Sequence, residues 1–169
     1  MSVAARVGRC GRPGDGPADG ESAARFMSRP DQPPRMYDVL LGIGLDDEQR
    51  AIAQAEAVAD LPAAPDEVTA HLCHVFQDNP EGASVHQLGT VRRAREVLED
   101  AGVDCVHYEA SGDPGEELIA AADDIDADLI CVSGRRRSPA GKAVFGSTTQ
   151  ALVLNADRPV LTVPGPDGA

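Results

Sequence analysis

Residues 112–134 read GDPGEELIAAADDIDADLICVSG, and the order of signals in this stretch decides the fold. Asp113 is a helix-capping residue type. Pro114 takes the first helical position, where its missing N–H is no loss, and Glu116 stands three residues after the cap. Leu118, Ile119, Ala122 and Ile125 follow with helical spacing, which predicts a helix over Asp113–Asp126. Asp128–Val132 (DLICV) is a short continuous apolar run, the pattern of a strand buried on both faces.

The same alternation extends in both directions. Upstream, Tyr37–Ile43 (YDVLLGI) reads as a strand and Asp47–Ala59 as an Ala-rich helix with Ile52, Ala55 and Ala59 on one stripe. Val68–Phe76 (VTAHLCHVF) is a second strand. Ser84–Ala101 is a helix with Val85, Leu88, Val91, Ala94, Leu98 and Ala101 three or four apart, and Gly102 stops it as the residue after the cap. Val103–Tyr108 is the third strand. Downstream, a helix over Ser147–Leu154 precedes a fifth strand, Pro159–Val163. Strands alternating with helices predict one α/β domain, a five-stranded, doubly wound parallel sheet with right-handed crossovers.

Residues 1–35 are of another kind. They are dense in Gly, Pro, Arg and Asp and have no apolar periodicity, so they cannot offset the entropy of ordering. They are expected to be a disordered extension, or an over-extended gene start, since Met27 and Met36 are available as later initiators.

The 169-residue chain carries a net charge of −13. Its basic side is almost all Arg, with Lys142 as the only lysine. Residues 36–169 hold 24 acids against 9 bases, a field that repels nucleic acid and anionic membrane surfaces. Such a surface stays hydrated in concentrated salt and suggests a halophilic source; an ordinary acidic bacterial protein is the alternative. Cys10, Cys73, Cys105 and Cys131 form no CxxC pair, and the last three lie in apolar runs, so a reduced, cytoplasmic setting is expected. No apolar stretch reaches the ~18–20 residues of a membrane span.

Ligands of open parallel sheets bind beyond the carboxyl ends of the strands, where strand order reverses. Two segments fall at such ends: Gly42-Ile43-Gly44 after strand 1, and the stretch from Val132-Ser133-Gly134 to Gly146-Ser147-Thr148 after strand 4. The second holds Arg135, Arg136, Arg137 and Lys142, four of the nine bases of an acidic domain, and ends in a Gly-Ser-Thr that opens a helix. Free N–H groups, a hydroxyl and guanidinium groups together suit a phosphate. The alternative is a solvated loop whose arginines pair with neighbouring acids. The stretch is not a P-loop, because Gly134 and Gly141 are too far apart and Ala143 follows Lys142 where a hydroxyl is required.

His71, Cys73 and His74 cannot converge on one metal, since alternate residues of a strand face opposite ways. His86 and His107 have no partner identifiable from the sequence, and no nucleophile has a neighbouring base in a motif, so no catalytic residue is assigned. Asp123, Asp124, Asp126 and Asp128 read as solvated surface.

The Gly-Asp-Pro helix start at 112–114, the DADLICVSG run, the Phe145-Gly146-Ser147 loop end and the final DRPVLTVP together resemble the universal stress protein family over residues 36–169. The stretch GRRRSPAGKAVFGSTTQALVLNADRPV is close to an acidic subgroup from halophilic archaea. The resemblance implies strand order 3-2-1-4-5, the adenine nucleotide alpha hydrolase-like arrangement. It also implies a homodimer through strand 5, here Pro159, Val160, Leu161, Thr162 and Val163. ATP-binding members carry G-x2-G-x9-G-[ST] after strand 4 and an Asp at the end of strand 1. Aligned on Gly146-Ser147, the first two glycines fall on Ser133 and Arg136, and the Asp falls on Gly44. Arg136 and Arg137 would then supply guanidinium contacts in place of backbone N–H groups.

The function expected from this resemblance is a dimeric regulatory module binding ATP, with Mg²⁺ as its companion ion, or another nucleotide. A dimeric interaction module without nucleotide is the alternative, and a slow ATP hydrolase ranks below both.

Overall fold

The computed structural model describes residues 36–62, 66–78, 82–134 and 145–165. Residues 1–35 and the segment 135–144, with Arg135, Arg136, Arg137 and Lys142, lie outside them. The elements are β1 (Tyr37–Gly42), α1 (Glu48–Ala59), β2 (Val68–Phe76), α2 (Gly89–Asp100), β3 (Asp104–Ser111), α3 (Pro114–Asp124), β4 (Leu129–Gly134), α4 (Ser147–Asn155) and β5 (Val160–Pro164). The five strands form one sheet in the order β3-β2-β1-β4-β5, as expected. All pairs are parallel, with Val39 opposite Leu129 and Ala70, and Ile130 opposite Val160.

Alternation along each strand divides the core between the two faces. Val39, Leu41, Ala70, Leu72 and Cys131 pack with Ala51, Ala55 and Val58 of α1 and Val91, Ala94 and Leu98 of α2. Leu40, Cys73, Val75, Ile130 and Val132 pack with Leu118, Ala121 and Ala122 of α3 and Leu152 of α4. Three crossings are close enough to require glycine. A Cβ on Gly42 would lie 2.8 Å from Leu118 Cδ1, one on Gly115 2.8 Å from Ala151 Cβ, and one on Gly134 2.9 Å from Thr162 Cγ2.

Asp113 caps α3 as expected, its Oδ1 accepting from the N–H groups of Gly115 at 2.9 Å and Glu116 at 3.2 Å. Gly102 ends α2 at φ +81°, and Val103 N–H donates back to Leu98 O at 2.9 Å. The helix predicted over Ser84–Ala101 is divided. Val85–Gln87 forms one 3₁₀ turn, Leu88 is extended at φ −73°, ψ 127°, and α2 starts at Gly89. The turn is anchored elsewhere, because Val85 N–H donates to the Glu109 carboxylate on β3 at 3.1 Å. β3 runs to Ser111 rather than Tyr108, since β2 carries the pairing as far as Phe76 opposite Ser111.

The acidic run after α3 is more than solvated surface. Arg158 donates through Nη1 to the carbonyls of Ala122 and Ala127, each at 2.7 Å, and its Nη2 pairs with Asp123. Tyr108 Oη donates to Asp124 at 2.8 Å, and Asp128 accepts from the Asp38 N–H at 3.0 Å. His71 Nε2 lies 2.8 Å from Asp38 Oδ1 on the face opposite His74. Among the described residues no group of three or more His, Cys, Asp or Glu could hold a metal ion, and no helix is long and apolar enough to cross a membrane.

Candidate functional site

A cavity of about 680 Å³ opens beyond the carboxyl ends of β1, β2 and β4, the place that the reversal of strand order dictates. Gly42, Ile43, Gly44, Val132, Ser133, Gly146, Ser147 and Thr148 all line it. Gly134, also expected there, is absent from the lining and packs on Thr162. Arg136 and Arg137 fall outside the described residues.

The glycines divide by role. Gly42 is required by Leu118, whereas among the described residues a Cβ on Gly44 or Gly146 would meet nothing within 4 Å. Those two positions leave the cavity open without being needed for packing.

Three helix starts face this space, and their electrostatics differ. Asp47 caps α1 by accepting from Gln49 N–H at 3.0 Å, and Glu48 follows in the first turn. Asp113 caps α3, with Glu116 and Glu117 in its first turn. Both starts already carry carboxylates that answer their free N–H groups and dipole. Among the described residues the start of α4 has no side-chain cap at Gly146 and no acid in its first turn, only Ser147, Thr148 and the buried Thr149.

The sequence reading missed three polar residues of the wall. Gln54 of α1 is 1% exposed. Its Nε2 donates to Gly42 O at 3.0 Å and Cys131 O at 3.2 Å, tying β1 to β4 under the cavity. His74 of β2 stands opposite, with Nδ1 2.7 Å from Ile43 O. A carbonyl can only accept, so Nδ1 is the donor of this bond. Phe76 holds that ring edge-on, with centroids 4.6 Å apart. Arg50, one turn before Gln54, is the only basic residue of the described lining. The helical stripes read from the sequence were apolar, so an Arg and a Gln on the inward face of α1 gave no signal.

The cysteines here are packing groups. Burial, with Glu117 adding to it, pushes the Cys73 thiol up to about 12. Burial pushes Cys131 up to about 12 against the opposing hydrogen bond from Gln54. Neither forms a thiolate near neutrality. The described lining thus combines one helix start without an acid in its first turn and the Arg50 guanidinium with the carboxylates of Asp46, Asp47 and Asp78.

Known proteins share this architecture. The model of the universal stress protein family matches residues 36–164. A universal stress protein from Mycolicibacterium smegmatis is 40% identical over 76 residues, 44% of this chain and 58% of the relative, so the match spans less than two thirds of that protein. Among solved structures, the universal stress protein from Archaeoglobus fulgidus in complex with dAMP superposes with a TM-score of 0.59 at 16% identity, covering 77% of this chain and 98% of that one. A universal stress protein family protein from Arabidopsis thaliana with AMP bound superposes with a TM-score of 0.56 at 16% identity, covering 77% and 92%. At such identities the superpositions establish the fold alone, and the family match over residues 36–164 carries the assignment: the chain belongs to the universal stress protein family.

Proposed function

We propose that the cavity binds an adenine nucleotide with its phosphate at the start of α4, and that the protein is a dimeric, nucleotide-responsive regulatory module. The observation that carries this reading is the α4 start. Of the three helix starts facing the cavity it is the one without a carboxylate of its own, so an anionic ligand supplies the missing countercharge. Relatives of the same fold described with dAMP and with AMP agree with it. Ser147 and Thr148 add hydroxyls, and ATP with Mg²⁺ is the fuller ligand of the same site. The acidic surface suits a salt-rich cytoplasm, as in halophilic archaea.

The homodimer forms on the β5 edge. β5 pairs with β4 on one side only among the described residues. Val160, Leu161 and Thr162 are half-buried, and on α4, which precedes the strand, Val153 is 56% exposed and Leu154 80%. A second copy covers this edge and removes an aggregation hazard. Sedimentation velocity is expected to give a dimer, and the double substitution Val153→Glu, Leu154→Glu a monomer. A wild-type monomer would overturn this part.

Thermal melts with AMP, ADP, ATP with and without Mg²⁺, and inorganic phosphate test the nucleotide reading. A nucleotide at a hundred times its Kd stabilises the fold by about 2.7 kcal/mol. Gly146→Val fills open space at the helix start and is expected to abolish the shift. If no nucleotide raises the wild-type Tm while the dimer persists, the protein is an interaction module instead. If Gly146→Val keeps the shift, the phosphate site lies elsewhere.

A further inference from the structure

His86 and His107 belong to different elements and meet at the β3 edge of the sheet. Val85–Gln87 is a single 3₁₀ turn. Val85 is 3% exposed and packs in the core on the side of α1 and α2, and its N–H donates to the Glu109 carboxylate of β3 at 3.1 Å. The next residue, His86, is exposed. Its ring stands edge-on to that of half-buried His107, with centroids 6.3 Å apart.

The charged groups around His107 decide what a proton does there. Alternation along β3 puts Cys105 and Glu109 on the same face as His107. β2 sets Leu72 beside it and, next along that face, His74, which is bonded to Ile43 O. From α2 come Arg95 and Glu99, paired with each other at 2.6 Å. Burial, then Arg95 and then His86 hold the His107 ring below its ordinary 6.5, with Glu99 opposing them.

We infer that His86 and His107 form an acid-sensitive latch that holds the Val85–Gln87 turn on β3. Neutral rings pack edge-on. Two imidazolium ions at this separation, beside the Arg95 guanidinium, repel each other. The repulsion falls on one 3₁₀ turn, whose hydrogen-bond geometry is weak. The opening is local, because α2 is held in the core by Val91, Ala94 and Leu98. A histidine held low in the fold contributes stability that is complete above pH 6.5. That stability is lost as pH falls through the lower folded value. The latch thus acts on the connection from β2 to α2, which also supplies Gln77 and Asp78 to the cavity wall.

Amide hydrogen exchange of the full chain at pH 7.5 and pH 5.5, corrected for the intrinsic rate, reads the latch at the Val85 N–H. Both conditions lie above the ordinary carboxylate range, so histidines are the side chains that titrate between them. Protection of Val85 is expected to fall several-fold at the lower pH, while that of Leu72, central in β2, stays constant. His107→Gln cannot take a charge and is expected to abolish the acid loss. His86→Gln removes the other charge and is expected to reduce it. Melting curves verify that each variant folds, and the wild-type comparison needs no variant. The inference is overturned if wild-type Val85 is equally protected at both pH values, or if Leu72 loses protection in the same proportion. It is also overturned if either glutamine variant keeps the full acid loss.

Discussion

The side-chain amide of Gln54 donates to the Gly42 carbonyl at 3.0 Å, from a residue that is 1% exposed. The same nitrogen reaches Cys131 O at 3.2 Å. A single amide thus ties the end of β1 to Cys131 inside β4, one residue before the pairing of the two strands ends at Gly42 and Val132. Gln54→Leu keeps the volume but leaves both carbonyls without that donor, at a cost of about 2–4 kcal/mol. Urea unfolding measures it. A loss below about 0.5 kcal/mol would mean that water replaces the amide and that the tie carries no weight.

Gly42 and Gly44 are two residues apart and respond oppositely to a methyl group. Gly42→Ala drives a Cβ to 2.8 Å from Leu118 Cδ1 and 3.1 Å from Val132 Cγ1, overpacking that costs about 1–3 kcal/mol. Leu118→Ala in the same chain recovers part of that loss, which a double-mutant cycle detects as coupling. Gly44→Ala enters open space and stays within about 0.5 kcal/mol of wild type. Equal effects of the two substitutions would contradict the assigned packing.

Arg158 closes the end of α3 through the carbonyls of Ala122 and Ala127 and the carboxylate of Asp123. Arg158→Lys keeps the charge but loses the fork that holds the two carbonyls through Nη1 and Asp123 through Nη2, so about 1–3 kcal/mol of stability is lost. Asp123→Asn, at a half-exposed partner, costs less than about 1 kcal/mol. Chemical denaturation of the two variants ranks them, and the reverse order would show that the ion pair outweighs the carbonyl bonds.

Alkaline stability follows from the buried thiols. Cys73 and Cys131 hold their protons to about 12 in the fold, against an ordinary 9.0. Below pH 9 both folded and unfolded chains are protonated at these sites, and the stabilisation is complete. Above it the unfolded chain sheds protons that the folded chain keeps, so stability falls as pH climbs from 9 towards 12. The urea midpoint is expected to be lower at pH 10 than at pH 8, and Cys131→Ala to flatten the drop. Site-resolved alkylation at pH 8 is expected to leave both thiols unmodified; rapid labelling of either would refute its burial.

Much of the architecture was legible because its signals are local. A cap at Asp113 with Pro114 behind it, a stop at Gly102, and continuous apolar runs at Leu40, Leu72 and Ile130 each state an element without reference to the rest of the chain. The boundary that failed, the division at Leu88, depends on the Glu109 carboxylate holding Val85 from another strand, which no periodicity reports. Asp128 and Asp123 read as surface for the same reason, since Asp38 and Arg158 lie far away in sequence.

By itself the sequence determined the alternation of strands and helices, the carboxyl-edge location of the cavity, and the Gly146-Ser147 helix start. These are set by hydrophobic spacing and capping chemistry over a few neighbouring residues. Only the tertiary structure decided which glycines are spacers and which are openings, that Gln54 joins β1 to β4, and that Arg50 lines the cavity beside Asp47 and Gly165. Each of those depends on distances between segments that folding brings together, and packing of α1 against the sheet, not any local pattern, sets them.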